Sequence, residues 1–168
     1  MIYILDANVF IQAKNLYYGM DFCPAFWDWL IEKNKEGIVF SIDKIKNELS
    51  VGNDELTEWA EDNDDLFIKT DTKVVEKFGD ISNWVMSQNY EQGAINIFLQ
   101  AADFYLIAHT MSMDCVLVTH EVSAPSTKKI KIPNVCIGLG LSFMTPYDML
   151  RREKARFVLG NKGRKNEK

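Results

Sequence analysis

Short apolar runs alternate with segments of helical periodicity, and this alternation constrains the fold more than any other feature of the chain. Three of the runs are IYIL at residues 2–5, IVF at 38–40 and VLVT at 116–119. A run of this kind, with no charged residue inside it, is typical of a strand that is covered on both faces. Strands that alternate with helices indicate a mostly parallel sheet between helical layers. The sequence therefore predicts an α/β fold, a three-layer α/β/α sandwich with a central, mostly parallel sheet.

Residues that begin or end helices well mark several helix boundaries. Pro24 begins the pattern PAFWDWLIEKNKE, and Gly37 ends it. Ser41 is a candidate N-cap for the helix IDKIKNELS that follows the second strand. Thr145 as the cap and Pro146 in the first turn begin the last helix, TPYDMLRRE.

The long region between the second strand and VLVT has a mostly helical pattern. Residues 54–63 predict a helix, and LFIK at residues 66–69 predicts a short strand. Residues 72–99 predict helices that are interrupted around Gly79 and Gly93. After VLVT, the segment KIKI predicts an edge strand of the sheet.

Length and composition favour one folded domain. The chain has 168 residues, of which 47% are hydrophobic and 26% are charged, enough to bury a sizeable core. We expect residues 1–159 to form that domain and residues 160–168 to be a disordered basic tail. No apolar run approaches the ~20 residues of a membrane span, and the start MIYILD lacks the pattern of a signal peptide. A cytoplasmic protein with reduced cysteines and no membrane contact is the expectation.

Charge is distributed unevenly along the chain. Residues 1–150 carry 11 basic and 22 acidic residues, whereas residues 151–168 carry 8 basic and 2 acidic residues, including all four arginines. An acidic body with a basic terminus indicates contact with nucleic acid. A solubilising terminus would have the same composition, so charge alone leaves both interpretations open.

Four acidic residues lie where predicted strands end or on the helices beside them. Asp6 directly follows the first strand, and Glu121 follows VLVT by two residues. Glu48 and Asp103 lie on helices, about 60° and about 40° from the nearest residue of each buried stripe. Ligand sites of parallel sheets lie beyond the carboxyl ends of the strands, so these side chains are expected to meet. Gathered carboxylates repel one another unless a cation binds, and oxygen ligands favour Mg²⁺ or Mn²⁺.

Each of these acidic residues also has a structural interpretation. Asp6 has the right position to cap the short helix that follows it. Asp103 lies near a helix N-terminus, where the helix dipole favours a negative charge. Glu48 and Glu121 have the alternative of being solvated surface side chains. The residues alone therefore leave a metal site and a set of structural acids as alternatives.

Three segments together resemble the PIN-domain family of metal-dependent ribonucleases. They are YILDANVFI, FSIDKIKNEL and AADFYLIAHTMSMDCVLVTHE, which agree with that family in order, spacing and strand context. The resemblance covers residues 1–12, 38–50 and 101–121, and the chain looks like a PIN-like bacterial branch related to VapC-type toxins. It implies a compact α/β/α sandwich with an acidic pocket that holds one or two divalent ions, Mg²⁺ or Mn²⁺. The region 54–100 is longer than in compact members.

The resemblance assigns catalytic and metal-binding roles to the four acidic residues. Asp6, Glu48 and Asp103 match the family's three core acids. Glu121 stands where many members carry an aspartate, and its side chain is one methylene longer. Asp6 and Asp103 are then the main metal ligands, and Glu48 and Glu121 bind a second ion or hold water molecules.

Three neighbouring side chains are candidates for supporting or substrate-binding roles. Asn8 and Thr119 are placed to hold the metal ligands through hydrogen bonds. His120 is expected on the rim of the site, because adjacent residues of a strand point to opposite faces. His109, on a helix, is expected to be a surface or packing residue, and no zinc site is predicted.

The predicted function is a Mg²⁺- or Mn²⁺-dependent endoribonuclease that hydrolyses RNA phosphodiester bonds. Analogy with the family adds the role of toxin in a toxin–antitoxin pair. The expected partners are RNA, an antitoxin protein and a second copy of the chain in a homodimer. The alternative is a non-catalytic PIN-like module that binds RNA or protein.

Residues outside the acidic pocket are candidates for RNA contact. Positive charge would come from the arginine-bearing C-terminal helix and from a lysine cluster, Lys128, Lys129 and Lys131. The aromatic residues Tyr17, Tyr18 and Trp84 either stack on unpaired bases or pack in the core.

Overall fold

The computed structural model describes residues 1–158, and within this range five parallel strands form one sheet. The strands are β1 (Tyr3–Leu5), β2 (Val39–Ile42), β3 (Phe67–Ile68), β4 (Val116–Val118) and β5 (Phe143–Met144). Their order across the sheet is β3-β2-β1-β4-β5, so the first strand is central. This confirms the predicted α/β fold with a central parallel sheet.

The described residues form ten α-helices that connect and cover the strands. These are α1 (Ala7–Gln12), α2 (Pro24–Lys35), α3 (Asp43–Ser50), α4 (Glu55–Asp62), α5 (Thr72–Val75), α6 (Phe78–Ser87), α7 (Gln92–Phe98), α8 (Ala102–Met113), α9 (Ile132–Leu139) and α10 (Pro146–Arg152). A π-helical turn, Ala13–Tyr17, directly extends α1. No helix in residues 1–158 is long and apolar enough to cross a membrane.

The core lies around β1, as the uninterrupted apolar run predicts. All three residues of β1 have no exposed surface, because β2 and β4 pair with its two edges and helices cover its faces. Tyr3 lies opposite Val39 on one side and Val116 on the other. Burying an aliphatic side chain such as Ile4 or Leu5 stabilises the fold by about 1.5–3 kcal/mol, so the central strand contributes strongly to the stability of the sheet.

Two positions require glycine, one because of its backbone conformation and the other because of a close neighbour. Gly37 has φ +73° and ends α2, as the sequence predicts. Gly138 lies in α9 against Trp84 of α6, and a Cβ atom there would come within 1.9 Å of the indole ring. The close approach of α9 and α6 therefore needs a residue without a side chain, and Trp84 is a packing residue.

Ser41 does not cap α3, contrary to the prediction. It lies inside β2, where it is fully buried, and its hydroxyl donates to the carbonyl oxygen of Leu5 at 2.8 Å. The N-cap of α3 is Ile42, which makes no side-chain cap bond. A buried hydroxyl needs a partner, and the neighbouring strand supplies one.

The helical pattern of residues 72–99 is interrupted around Gly79 and Gly93, as predicted: α5 ends at Val75 and α6 begins at Phe78, and α6 ends at Ser87 and α7 begins at Gln92. One further prediction of local structure is wrong. The segment KIKI forms no strand: its last residue begins α9, with Pro133 in the first turn, and β5 takes the edge position. The predicted tail at residues 160–168 lies outside the described residues.

Candidate active site

The candidate site lies at the carboxyl ends of β1 and β4, which are neighbours in the sheet. The backbone N–H of Asp6 donates to the carbonyl oxygen of Val118 at 3.0 Å, so the two strands stay paired up to their last residues. This pairing brings Asp6 next to Thr119, although 113 positions separate them in the chain. The parallel topology thus brings together the two strand ends on which the sequence places acidic residues.

Asp6 is held by neutral hydrogen-bond donors. The Thr119 hydroxyl donates to Asp6 Oδ2 at 2.7 Å, and the Asn8 side-chain amide donates to the same oxygen. The Asn8 amide also donates to Thr119 Oγ1 at 3.0 Å. Asp6 is 4% exposed and makes no side-chain bond to cap α1. These three residues form a network that orients a buried carboxylate.

Burial and neighbouring negative charge act together on the acidic residues. Burial, followed by the charge of Asp103, raises the pKa of Asp6 to about 7, and Glu121 adds to the shift. Burial, Glu121 and Glu48 raise the pKa of Asp103 to about 6, while Lys129 opposes them. Partial burial of its carboxyl also raises the pKa of Glu48, although the residue as a whole is exposed. The structure therefore places the four predicted acidic residues within one electrostatic environment.

The same four side chains do not converge on one point. Within residues 1–158, no three His, Cys, Asp or Glu side chains are grouped closely enough to hold a metal ion by themselves. Mg²⁺ commonly binds through one or two carboxylates and keeps several water ligands, so a pair of carboxylates is a sufficient protein contribution. Among the charged neighbours of Asp6, Asp103 raises the pKa of Asp6 most, whereas Glu121 and Glu48 are the charges that raise the pKa of Asp103.

Glu121 has contacts that the sequence analysis missed. Its Oε2 atom accepts from the backbone N–H of Ile132, the first residue of α9, at 2.9 Å. Its Oε1 atom lies 3.8 Å from Lys129 Nζ and 3.7 Å from Lys131 Nζ. Its backbone N–H donates to Thr119 Oγ1 at 3.0 Å. The protein itself already balances the charge of this carboxylate.

His120 lies on the rim of the site, beside two tyrosines. Its ring centroid is 5.6 Å from that of Tyr17 and 5.5 Å from that of Tyr147. Its backbone N–H donates to Asn8 Oδ1 at 2.9 Å, which ties the rim to the network around Asp6. Burial lowers the pKa of His120, which disfavours the charged form of its ring. The sequence predicts the rim position of His120 but gives no signal for Tyr147, which lies on α10, 27 positions later in the chain.

His109 belongs to the core rather than to the site. It is 1% exposed on α8, and its Nε2 atom is 3.3 Å from the Thr70 hydroxyl. Burial lowers the pKa of His109, which keeps the ring uncharged. It is therefore the packing residue that the sequence analysis offered as one alternative.

Asp103 lines a cleft of about 280 Å³. Apolar side chains, among them Ile97 and Phe98, form much of its wall, and Lys128 and Lys129 lie at its edge. The two lysines are exposed, so the cleft carries positive charge next to an acidic residue. The predicted lysine cluster thus lies beside the candidate site.

Comparison with known families decides the classification. The family described as "Domain of unknown function (DUF4411)" matches residues 3–157, which is nearly the whole described chain. The chain belongs to the DUF4411 family. None of the curated proteins compared with this DUF4411 chain matches it.

Among solved structures, the DUF4411 chain is similar to a chain in the crystal structure of VapBC2 from Rickettsia felis, bound to a DNA fragment from their promoter. The two chains are 14% identical with a TM-score of 0.54, and the match covers 86% of this chain and 98% of that chain. At this identity the likeness shows the fold alone, a PIN-like α/β fold. The PIN resemblance is thus confirmed for the fold, while the family is DUF4411.

Proposed function

We propose that this protein is a Mg²⁺- or Mn²⁺-dependent endoribonuclease whose site contains Asp6, Glu48, Asp103 and Glu121. The observation that carries the proposal is the buried Asp6 carboxylate, which accepts from neutral donors; burial, followed by the charge of Asp103, raises its pKa to about 7, and Glu121 adds to the shift. A carboxylate pair of this kind gains stability from a bound cation. The position of Asp6 at the carboxyl end of β1, in a parallel sheet, supports the proposal, because ligands of parallel sheets bind beyond the carboxyl ends of the strands.

The donor chemistry of the pocket fits a hard divalent ion. Asp6 and Asp103 offer carboxylate oxygens, and the neighbouring groups are hydroxyl, amide and carboxylate oxygens rather than sulfur or imidazole. When bound, such an ion lowers the pKa of a water molecule and neutralises charge on the phosphate. Thr119 and Asn8 hold the Asp6 carboxylate in one orientation. Glu48 and Glu121 complete the acidic surroundings, either as ligands or through water.

Lysines beside the pocket supply the charge that RNA needs. An acidic pocket alone repels phosphate, whereas Lys128 and Lys129 line the cleft next to Asp103. Lys129 also lowers the pKa of Asp103, which shows that its positive charge reaches the pocket. The lysines therefore attract the substrate backbone, and Glu121 holds Lys129 and Lys131 near the site.

RNA cleavage by the purified full chain tests the proposal. We expect cleavage with Mg²⁺ or Mn²⁺, none with EDTA, and a loss of at least about 100-fold in Asp6→Asn, because metal-assisted charge stabilisation is worth several kcal/mol. Asp65→Asn, which changes an exposed carboxylate elsewhere, is the matched control and should cleave normally. Cleavage that survives EDTA or Asp6→Asn would falsify the metal-nuclease proposal.

A non-catalytic RNA- or protein-binding module is the second candidate. Two observations favour it: within residues 1–158 no three candidate ligands are grouped, and lysines already balance the charge of Glu121. This candidate predicts that RNA binds without being cleaved and that Mn²⁺ does not raise the melting temperature. A thermal shift with Mn²⁺ that disappears in Asp103→Asn decides for the metal site.

The toxin role extends the proposal by analogy. It rests on the PIN resemblance and on the structural similarity to VapBC2. If the analogy holds, the cellular partners are RNA and an antitoxin protein, and a homodimer is the expected assembly. Induced expression should arrest growth of the host, and Asp6→Asn should remove that effect. Unimpaired growth with the active protein counts against the toxin role but not against RNA cleavage.

A further inference from the structure

Three aromatic side chains on the rim, Tyr17, His120 and Tyr147, form a cluster that the proposed cleavage chemistry does not use. We call them the ring trio. The ring centroids are 5.6 Å apart for Tyr17 and His120, 5.6 Å for Tyr17 and Tyr147, and 5.5 Å for His120 and Tyr147. The members come from the π-helical turn, the end of β4 and α10. Because the rings already pack against one another, a ligand would meet an ordered surface and lose less entropy on binding.

The ring trio is directly connected to the carboxylate network. The His120 backbone N–H donates to Asn8 Oδ1 at 2.9 Å, and the Asn8 amide donates to Asp6. Two consecutive hydrogen bonds therefore join the rim to the acid at the centre of the site. A group bound next to a phosphate at Asp6 would lie against these rings.

Tyr17 differs from its neighbour Tyr18 in a way that indicates a role outside the core. Tyr18 stacks on the buried ring of Phe26, with centroids 4.4 Å apart, and is a packing residue. Tyr17 is 42% exposed and lies at the end of a π-helical turn. Such turns are rare and are frequent at functional sites. Packing in the core therefore does not explain why an aromatic side chain occupies the position of Tyr17.

Positive charge continues the surface beyond the ring trio. Tyr147 also lines a cleft of about 210 Å³ whose other wall includes Arg151 and Tyr18. The Arg151 guanidinium lies 3.4 Å from Asp148 and is largely exposed, so this pair is weak. Tyr17 is exposed, and His120 and Tyr147 are half-buried. Accessible rings beside a cationic side chain are the combination with which proteins bind single-stranded nucleic acid.

We propose that the ring trio is a stacking platform for an unpaired base of single-stranded RNA next to the scissile phosphate, with Arg151 contacting the adjoining phosphate. This inference rests on the ribonuclease function proposed above. The rings offer flat faces on which a base can stack. The platform therefore accepts more than one base and positions the substrate without reading its sequence.

The test compares two probes of equal backbone charge. One is a short fluorescein-labelled oligoadenylate, and the other is an abasic ribose-phosphate oligomer of the same length. Fluorescence anisotropy with Mg²⁺ measures their binding to the full chain carrying Asp6→Asn, so that neither probe is consumed. Tyr17→Leu should weaken oligoadenylate binding about tenfold and leave abasic binding unchanged. Tyr17→Phe should bind both probes as the parent does, because the ring remains.

Two further variants complete the design. Phe22→Leu removes an exposed ring outside the trio and should change neither affinity. Arg151→Gln should weaken both probes and reduce the salt dependence of binding by about one charge. The inference is overturned if Tyr17→Leu weakens both probes equally or neither, or if the parent binds the two probes with equal affinity. The cleavage assay reports separately on the nuclease proposal, because this binding assay uses a variant that is not expected to cleave.

Discussion

Two carboxylates at the ends of neighbouring strands, Asp6 after β1 and Glu121 after β4, have opposite electrostatic surroundings. Asp6 is buried, and the hydroxyl and amide groups that donate to it are uncharged. Glu121 accepts a backbone N–H and lies 3.8 Å and 3.7 Å from two lysine ammonium groups. Thr119 contacts both acids, since its hydroxyl donates to Asp6 and accepts from the backbone N–H of Glu121.

This difference indicates where a cation would add most stability. Burial and negative neighbours raise the pKa of Asp6 and of Asp103, so their ionised forms are costly in the folded protein. The charge of Glu121 is already balanced by the lysines and by the N-terminus of α9. A cation bound as proposed would therefore stabilise the Asp6 side of the site more than the Glu121 side, where the two lysines already lie near the carboxylate.

The largest expected effect on stability comes from the residue that joins the two sides. Thr119→Val removes the donor to Asp6 and the acceptor for two N–H groups in a fully buried position. We expect the free energy of unfolding in urea at pH 7 to fall by about 1–3 kcal/mol, because buried partners lose their hydrogen bonds. Thr127→Val, at an exposed hydroxyl, is the control and should change stability by less than about 0.5 kcal/mol. Equal effects of the two variants would show that the network around Asp6 contributes nothing.

Replacing Asp103 is expected to raise the free energy of unfolding, by less than Thr119→Val lowers it. Burial, followed by the charges of Glu121 and Glu48, raises the pKa of Asp103 from its ordinary value of 3.8 to about 6, so the folded state disfavours the charged form. The resulting destabilisation is absent below pH 3.8, grows as the pH rises and is complete above about pH 6. With EDTA present, Asp103→Asn should therefore raise the free energy of unfolding at pH 8 by about 1–2 kcal/mol and leave it unchanged at pH 3.5.

Asp65→Asn separates this effect from the general removal of a negative charge. Asp65 is exposed, and its replacement should shift stability little at either pH. A gain in Asp65→Asn equal to that in Asp103→Asn would mean that net charge, rather than the site, determines the pH dependence.

Local patterns predict the sheet well, since its strands depend on short stretches of sequence. IYIL is apolar throughout and forms the fully buried central strand, and Asp6 follows it at the edge where parallel strands end. KIKI also has the alternation of a strand, and Ile130 and Ile132 are buried, yet the chain turns into α9 at Pro133. Its role depends on the packing of α9 against other helices, which no local pattern contains.

The sequence does not predict the contacts that distinguish Glu121 from Asp6, because these contacts also depend on tertiary packing. Lys129 and Lys131 lie eight and ten positions beyond Glu121 and reach it only because the intervening loop folds back. Tyr17 and Tyr147 meet His120 from opposite ends of the chain. Charge and aromatic content indicated that such residues could matter, but only the tertiary structure determines their partners.

The smallest change in the free energy of unfolding is expected for a variant of Glu121. The sign of that change tests whether the surroundings of Glu121 differ from those of Asp6. Glu121→Gln keeps an oxygen to accept the Ile132 N–H but loses the attraction to the two lysines, one of which is 67% exposed. Because solvent screens such pairs, we expect the free energy of unfolding at pH 7 and low salt to fall by only about 0.5 kcal/mol. The loss should disappear at about 1 M salt, where the screening length is near 3 Å. If Glu121→Gln instead stabilises the protein as Asp103→Asn is expected to do, the lysines do not neutralise this carboxylate, and Glu121 belongs with Asp6 and Asp103 as an acid whose charge the folded protein leaves uncompensated.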